Sequence, residues 1–360
     1  MSLMHQSQVS RQPTDTGRVM TWLLLATLPG IATLTWHFGL GVLSNVLLAG
    51  AFAAGLEALV LRLRRRTVRP VLADNSALVT GVLLGASLPP GTSLWLILVG
   101  MVAAIVVAKQ LYGGLGQNPF NPAMVGYALL LISFPAAMTQ WAAPHGLLSP
   151  DGLSLGELLA RVTGTSSGMN SGTGVDAWSG ATPLDAFKHK PDALLASEFW
   201  ASNPLPDGTQ AAWRNVALAW LAGGALLLYK RLIGWQIPLS MLAAMGVLAS
   251  FLYAVDPSHH GSPAFHWLNG AAVFGAFFIA TDPVSAATSR KGKLYYGAGI
   301  GVLVMLIRET GAYPDAVAFA VLLMNFTVPF IDYYTQPRTQ GHARPNRGIK
   351  VTRLDDEEAS

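Results

Sequence analysis

Over 360 residues this chain is 52% hydrophobic and only 12% charged, with a formal net charge of +4 and a mean hydropathy of +0.42, whereas soluble domains carry about 25% charged residues. That balance excludes a soluble enzyme and points to an integral membrane protein. There is no cysteine, which excludes disulfides and any Cys-ligated iron–sulfur cluster within the chain and leaves an organic or His-bound group as the electron carrier it can hold.

A helix needs about 20 apolar residues to cross a bilayer, and fewer where it is broken against protein. Ten such segments follow in order: residues 19–37, 41–61, 75–89, 93–109, 121–140, 213–230, 236–254, 266–281, 294–308 and 314–333. The first follows a short polar head and lacks a small-residue cleavage site, so it reads as a retained helix. The division that results is a cytoplasmic tail over 1–18, five helices over 19–140, a polar insertion over 141–212, five more helices over 213–335 and a second cytoplasmic tail over 336–360. Within the insertion, the Gly/Ser/Thr-rich run from Thr163 to Gly174 reads as a flexible strap.

Basic residues favour the cytoplasmic side of a membrane. With ten spans and the N-terminus inside, the cluster Arg62, Arg64, Arg65, Arg66 and Arg69 falls inside, and of the 23 Lys and Arg only Arg161, Lys188, Lys190, Arg214 and Arg308 fall outside. Both termini are therefore expected in the cytoplasm of a bacterial cell, below its inner membrane, and the insertion in the periplasm. The clusters follow the topogenic pattern, so no nucleic-acid partner is expected.

The two halves align at a constant offset of 194 residues, Asn75–Gly81 with Asn269–Gly275 and Ala86–Pro89 with Ala280–Pro283. At nearly the same offset Pro122–Ala128 matches Pro314–Ala320. Because five spans separate the copies, the second is inverted relative to the first. The expected fold is all-α and integral to the membrane: ten transmembrane helices in two inverted five-helix repeats, with a long periplasmic insertion. Two short, broken helices facing each other would place a site near the midplane.

In the insertion, Thr182 stands where a helix N-cap is expected, because Pro183 suits the first helical position and Asp185 follows three residues on. Such a helix start also favours a phosphate, and Gly180-Ala181 leaves room for a bulky group. An ordinary capped turn explains the same residues. The string Asp176-Ala177-Trp178-Ser179-Gly180-Ala181-Thr182, however, resembles the sequence at which a flavin transferase esterifies FMN phosphate onto the last threonine; Ala177 stands where relatives often carry glycine. A second string, Gly113 to Ala123 (GGLGQNPFNPA), is similar to a loop of the same family. Over about residues 18 to 335 the chain thus resembles the family that includes the D subunit of the Rnf ion-translocating electron-transport complex and, more distantly, the B subunit of the sodium-translocating NADH:quinone oxidoreductase.

The resemblance implies covalent FMN on Thr182, with Asp176, Ser179, Gly180 and Ala181 forming the recognition sequence, and electron exchange with a second flavin-bearing subunit at the outer face, coupled to movement of Na+ or H+. It also implies a second, non-covalent flavin, riboflavin, near Asn118 and Asn121, although turn chemistry alone accounts for these two residues. Five-plus-five inverted repeats also resemble the urea-channel fold, so the rival reading is a redox-inactive channel or transporter, followed by a structural scaffold for redox subunits.

Acids in apolar segments are functional suspects. Glu57 lies in the second segment, one turn from Arg62, and either serves an ion path or pairs and snorkels toward the inner interface. Asp282 ends the eighth, where it serves the path or caps the following segment. His37 and His266 lie at segment ends and His259 and His260 adjoin in an outer loop, none at helical spacing for haem or metal, and all read as satisfied interfacial residues. With no Walker or Rossmann loop in the sequence, NADH oxidation is expected on another chain.

Overall fold

Each of the ten apolar segments falls on helix. The computed structural model describes residues 16–144, 155–164, 179–191, 194–202, 205–311, 313 and 315–337. Asp176, the run 165–174 of the expected strap and nearly all of both tails lie outside the described residues.

The first half comprises α1 (Thr16–Phe38), α2 (Leu40–Leu63), the single turn α3 (Val68–Leu72), α4 (Ser76–Ser87), α5 (Leu94–Met101, continued as a π-helix over Val102–Gln110), α6 (Pro122–Ser133) and α7 (Pro135–Thr139). The insertion supplies β1 (Trp141–Ala142), α8 (Leu155–Thr163), β2 (Ser179–Gly180), α9 (Pro183–Lys188) and α10 (Ala196–Ala201). The second half follows as α11 (Thr209–Tyr229), α12 (Gln236–Val255), α13 (Pro263–Leu268), α14 (Ala272–Phe274, continued as a π-helix over Gly275–Ile279), α15 (Arg290–Thr310) and α16 (Val317–Thr335). Among the described residues, α1, α2, α11, α12 and α16 are long and apolar enough to cross a membrane. The chain is thus mostly helical with five candidate spans, as an integral membrane protein requires.

Two expected segments are interrupted. Residues 266–281 do not form one helix, because Gly270 takes φ +71°, where L side chains rarely go, and separates α13 from α14. Residues 121–140 break after Ser133, where Pro135 lacks the N–H needed to continue the ladder.

The helices pack most extensively as α12 on α15, α2 on α4 and α1 on α11. Close approach at the second of these comes from Gly81 and Gly85, spaced as in Gly-xxx-Gly. A Cβ on Gly85 would lie 2.8 Å from the Val46 Cα, and one on Gly81 2.8 Å from the Ala49 oxygen. The pair α1–α11, with α6 against α16, joins the two halves.

The short helices α4 and α14 leave backbone groups that lipid cannot satisfy. At the far end of α4, Asn45 Nδ2 donates to the Pro89 carbonyl at 2.7 Å, as does Thr92 Oγ1 at 2.6 Å. At their starts the two are alike. Asp74 Oδ1 accepts the Ser76 N–H at 2.7 Å, and Asp315 Oδ2 accepts the Ala271 N–H at 2.7 Å. A buried cation stands beside each: Lys109 Nζ donates to Ser76 Oγ at 2.7 Å, and Arg308 Nη1 to the His266 carbonyl at 2.8 Å.

Candidate functional site

Thr182 caps α9 as its sequence implies. It adopts extended backbone, its Oγ1 accepts the Asp185 N–H at 3.2 Å, and Pro183 takes the first helical position. The box does not close, because the Asp185 carboxylate faces His189 Nδ1 at 3.1 Å instead. At six residues α9 is short, so its dipole adds little to phosphate binding. The preceding residues are held by a two-residue ladder in which Trp141 pairs with Gly180 and Ala142 with Ser179. Ala181 is exposed. A Cβ on Gly180 would make only an ordinary 3.6 Å contact with Ala143, so no packing among the described residues demands glycine there.

Lys188 pins the far end of α9. Its Nζ donates to the carbonyls of Arg308 at 2.7 Å and of Ile307 and Tyr313 at 3.3 Å, taking up the open end of α15 where a cation is favoured. Burial lowers the Lys188 pKa from its usual value, against the opposing pull of Glu309. On the other side Phe187 stacks on Trp200 at 5.8 Å.

So held, Thr182 lines a cleft of about 110 Å³ between the halves. Trp141, Trp213, Trp220, Phe274 and Tyr127 wall it, while Asp185, Asp315 and Thr139 supply polar groups. The rings support one another, with Trp141 against Trp213 at 5.0 Å and Trp220 against Phe274 at 4.3 Å. A mostly apolar, aromatic cleft with few polar groups is the kind of site that takes a planar organic cofactor. The residues present therefore fit a flavin tethered at Thr182.

A second, inner cavity of about 40 Å³ is lined by Ser76, Thr80, Lys109, Asn118, Asn121 and Asp282 among others. Successive residues line the two spaces, Met124 and Ile279 the outer, Ala123 and Phe278 the inner. Between them Asn121 ties the halves together. Its Oδ1 caps α6 by accepting the Met124 N–H, and its Nδ2 donates to the Ile279 carbonyl, both at 3.2 Å. With the Asn325 amide turned so that its nitrogen donates to the Ser285 carbonyl, its oxygen accepts the Asn121 N–H at 2.9 Å. Asn118 Nδ2 closes a local turn to the Phe120 carbonyl, but Asn118 Oδ1 is buried without a partner.

Sequence reasoning leaves Glu57 either on an ion path or paired with Arg62 and snorkelling toward the interface, and the pairing and the snorkelling do not occur. Glu57 is fully buried, and its Oε1 lies 2.7 Å from both Lys109 Nζ and Gln110 Nε2. A lysine on the packed π-helical stretch takes the place of the arginine one turn away, while Arg64 and Arg66 turn to the loop and donate to the Gln110 and Gly113 carbonyls. Asp282 both lines the inner cavity and caps a turn, accepting from the Ser285 N–H and Oγ. Lys109 and Arg308 are missed as site residues, being read only as topogenic charges. Their signal is a lone basic residue at the edge of an apolar run with an acid in another such run. His260 pairs with Glu309 at 2.8 Å, whereas His266 is buried with neither ring nitrogen hydrogen-bonded, its Nε2 lying 3.8 Å from Glu309 Oε1, so that it is less fully satisfied than the sequence reading expects. Among the described residues no group of His, Asp or Glu is arranged to hold a metal.

A family profile described as NQR2, RnfD, RnfE family matches residues 3–341. The chain belongs to the NQR2, RnfD, RnfE family. It is 52% identical over 350 residues to the D subunit of the ion-translocating oxidoreductase complex of Marinobacter nauticus, covering 97% of this chain and 98% of that one. It is 51% identical over 342 residues to the protein of that name from Cellvibrio japonicus, with 94% of each covered, and 48% identical over 342 residues to that of Citrobacter koseri, with 93% and 98% covered. Membership meets the expectation drawn from the two motif strings.

Proposed function

We propose that this chain is the D-type membrane subunit of an ion-translocating oxidoreductase complex, bearing FMN esterified to Thr182 on the periplasmic face of the inner membrane. The observation that carries the reading is the placement of Thr182 at the edge of an aromatic cleft between the halves, in a chain of this family. When bound, the flavin supplies one- and two-electron transfer. The chain's own part is positional. The β1–β2 ladder and the Lys188 clamp fix the tether, while the tryptophan-lined walls keep water from the ring. Neighbouring subunits, one of them flavin-bearing, exchange electrons with it, and a flavin transferase installs it.

In this reading ten helices cross the membrane as two inverted repeats, with both termini in the cytoplasm. Supporting that symmetry, α4 and α14 each begin at a carboxylate cap with a buried cation alongside. The inner cavity, with Glu57 beside it and Asp282 in its wall, belongs to the path of Na+ or H+; at about 40 Å³ it would have to widen to take the riboflavin that the family resemblance implies near Asn118 and Asn121. The test is flavin content of the chain with threonine replaced. Thr182→Val should lose bound FMN yet insert normally, and retained FMN would refute the assignment.

A further inference from the structure

Lys109 and Glu57 form a buried ion pair whose surroundings hold more acceptor oxygens than the lysine serves. The ammonium is 2% exposed and the carboxylate not at all. Around them three buried oxygens have no hydrogen-bond donor: Glu57 Oε2, Gln110 Oε1 and Asn118 Oδ1. A carboxylate and two amide oxygens are hard, neutral-to-anionic donors, the kind that replace the water shell of a small cation. Asn118, 4% exposed, lines the inner cavity together with Lys109, Ser76 and Asp282.

The two buried cations of the fold differ in how they are held. Arg308 is fixed to a backbone carbonyl and to Asp315 by a planar, multi-donor group. Lys109 is a compact point charge on a flexible stem, held by two side chains, Glu57 and Ser76, and by no backbone group among the described residues. It also lies on the π-helical stretch Val102–Gln110, whose wide turns are frequent at functional positions. A tethered cation in such a setting can be pushed aside by a free one.

We propose that the Lys109 ammonium is a built-in competitor for the translocated cation: it occupies the Glu57 side of the inner cavity when the site is empty of ion, and a monovalent alkali cation of sodium size displaces it. Lys109 is thereby a specificity-determining residue that sets ion affinity, and no bond is made or broken in the exchange. This rests on the ion-translocating reading, but its test does not depend on redox activity.

The experiment is a thermal melt of the purified complex in NaCl and in choline chloride at equal ionic strength, for wild type, Lys109→Met and Lys109→Gln. The expected result is a melting temperature higher in NaCl than in choline chloride by about 3 °C more in the lysine variants than in wild type, with half-saturation at about tenfold lower NaCl. The double variant Glu57→Gln/Lys109→Met should lose that sodium-specific gap. Equal melting in the two salts for both single variants overturns the proposal. So does failure of both to assemble while the double variant assembles, because the lysine is then only a structural counter-charge. A sodium gap in a protein that carries no flavin would leave the cation site standing and remove the electron-transfer reading.

Discussion

Replacing Lys188 by methionine isolates the clamp that holds the Thr182 helix against the bundle. A hydrogen bond from a charged group contributes about 1.5–3 kcal/mol when well made. Only the bond to the Arg308 carbonyl, at 2.7 Å, is short, and the two at 3.3 Å add little. Lys188 is only partly buried, so solvent screening reduces the total to about 1.5 kcal/mol, roughly a tenfold change in the docking equilibrium. Methionine keeps the stem and removes the donors. Hydrogen exchange reads the result at the amides of Ala186 and His189, which are bonded to the Thr182 and Asp185 carbonyls at 2.9 and 3.1 Å. Exchange there should quicken about tenfold, while amides within α12 and α15 keep their protection. Unchanged exchange at Ala186 and His189 would refute the clamp.

Other consequences follow from the packing and from the join between halves. Gly85→Val drives a side chain against the Val46 backbone and should cost about 3 kcal/mol or more, read as loss of folded protein in detergent; Gly55→Ala, which meets nothing within 4 Å, should behave as wild type. Asn121→Ala removes a helix cap and the bond to the Ile279 carbonyl, so a loss of about 2 kcal/mol is expected in a thermal melt. A reporter fused after Ser360 should report the cytoplasm, and a periplasmic signal would contradict the ten-span topology.

Helix positions were largely legible because apolar runs of bilayer length carry a strong compositional signal, and the Thr182 cap was legible because Thr-Pro-x-Asp is a local pattern. What was not legible depends on distant partners. The break at Asn269–Ala271 carries a local turn signal in Asn269-Gly270, but whether a glycine inside an apolar run breaks the helix depends on partners that hold the open ends, here Asp315 and Arg308 some forty residues away. Glu57 finds Lys109 rather than Arg62 because packing α2 against the π-helical stretch decides the partner, and spacing along one helix cannot. The β1–β2 ladder, only two residues long on each strand, leaves no periodicity to read.

The measurement that bears most directly on the account is in-gel flavin fluorescence after denaturing electrophoresis, with the chain co-expressed with a flavin transferase and wild type run beside Thr182→Val. A band that fluoresces in the wild type and is dark in the variant is the predicted result. A dark wild-type band, with the transferase active on another substrate, or an equally bright variant, would contradict the assignment of covalent FMN to Thr182.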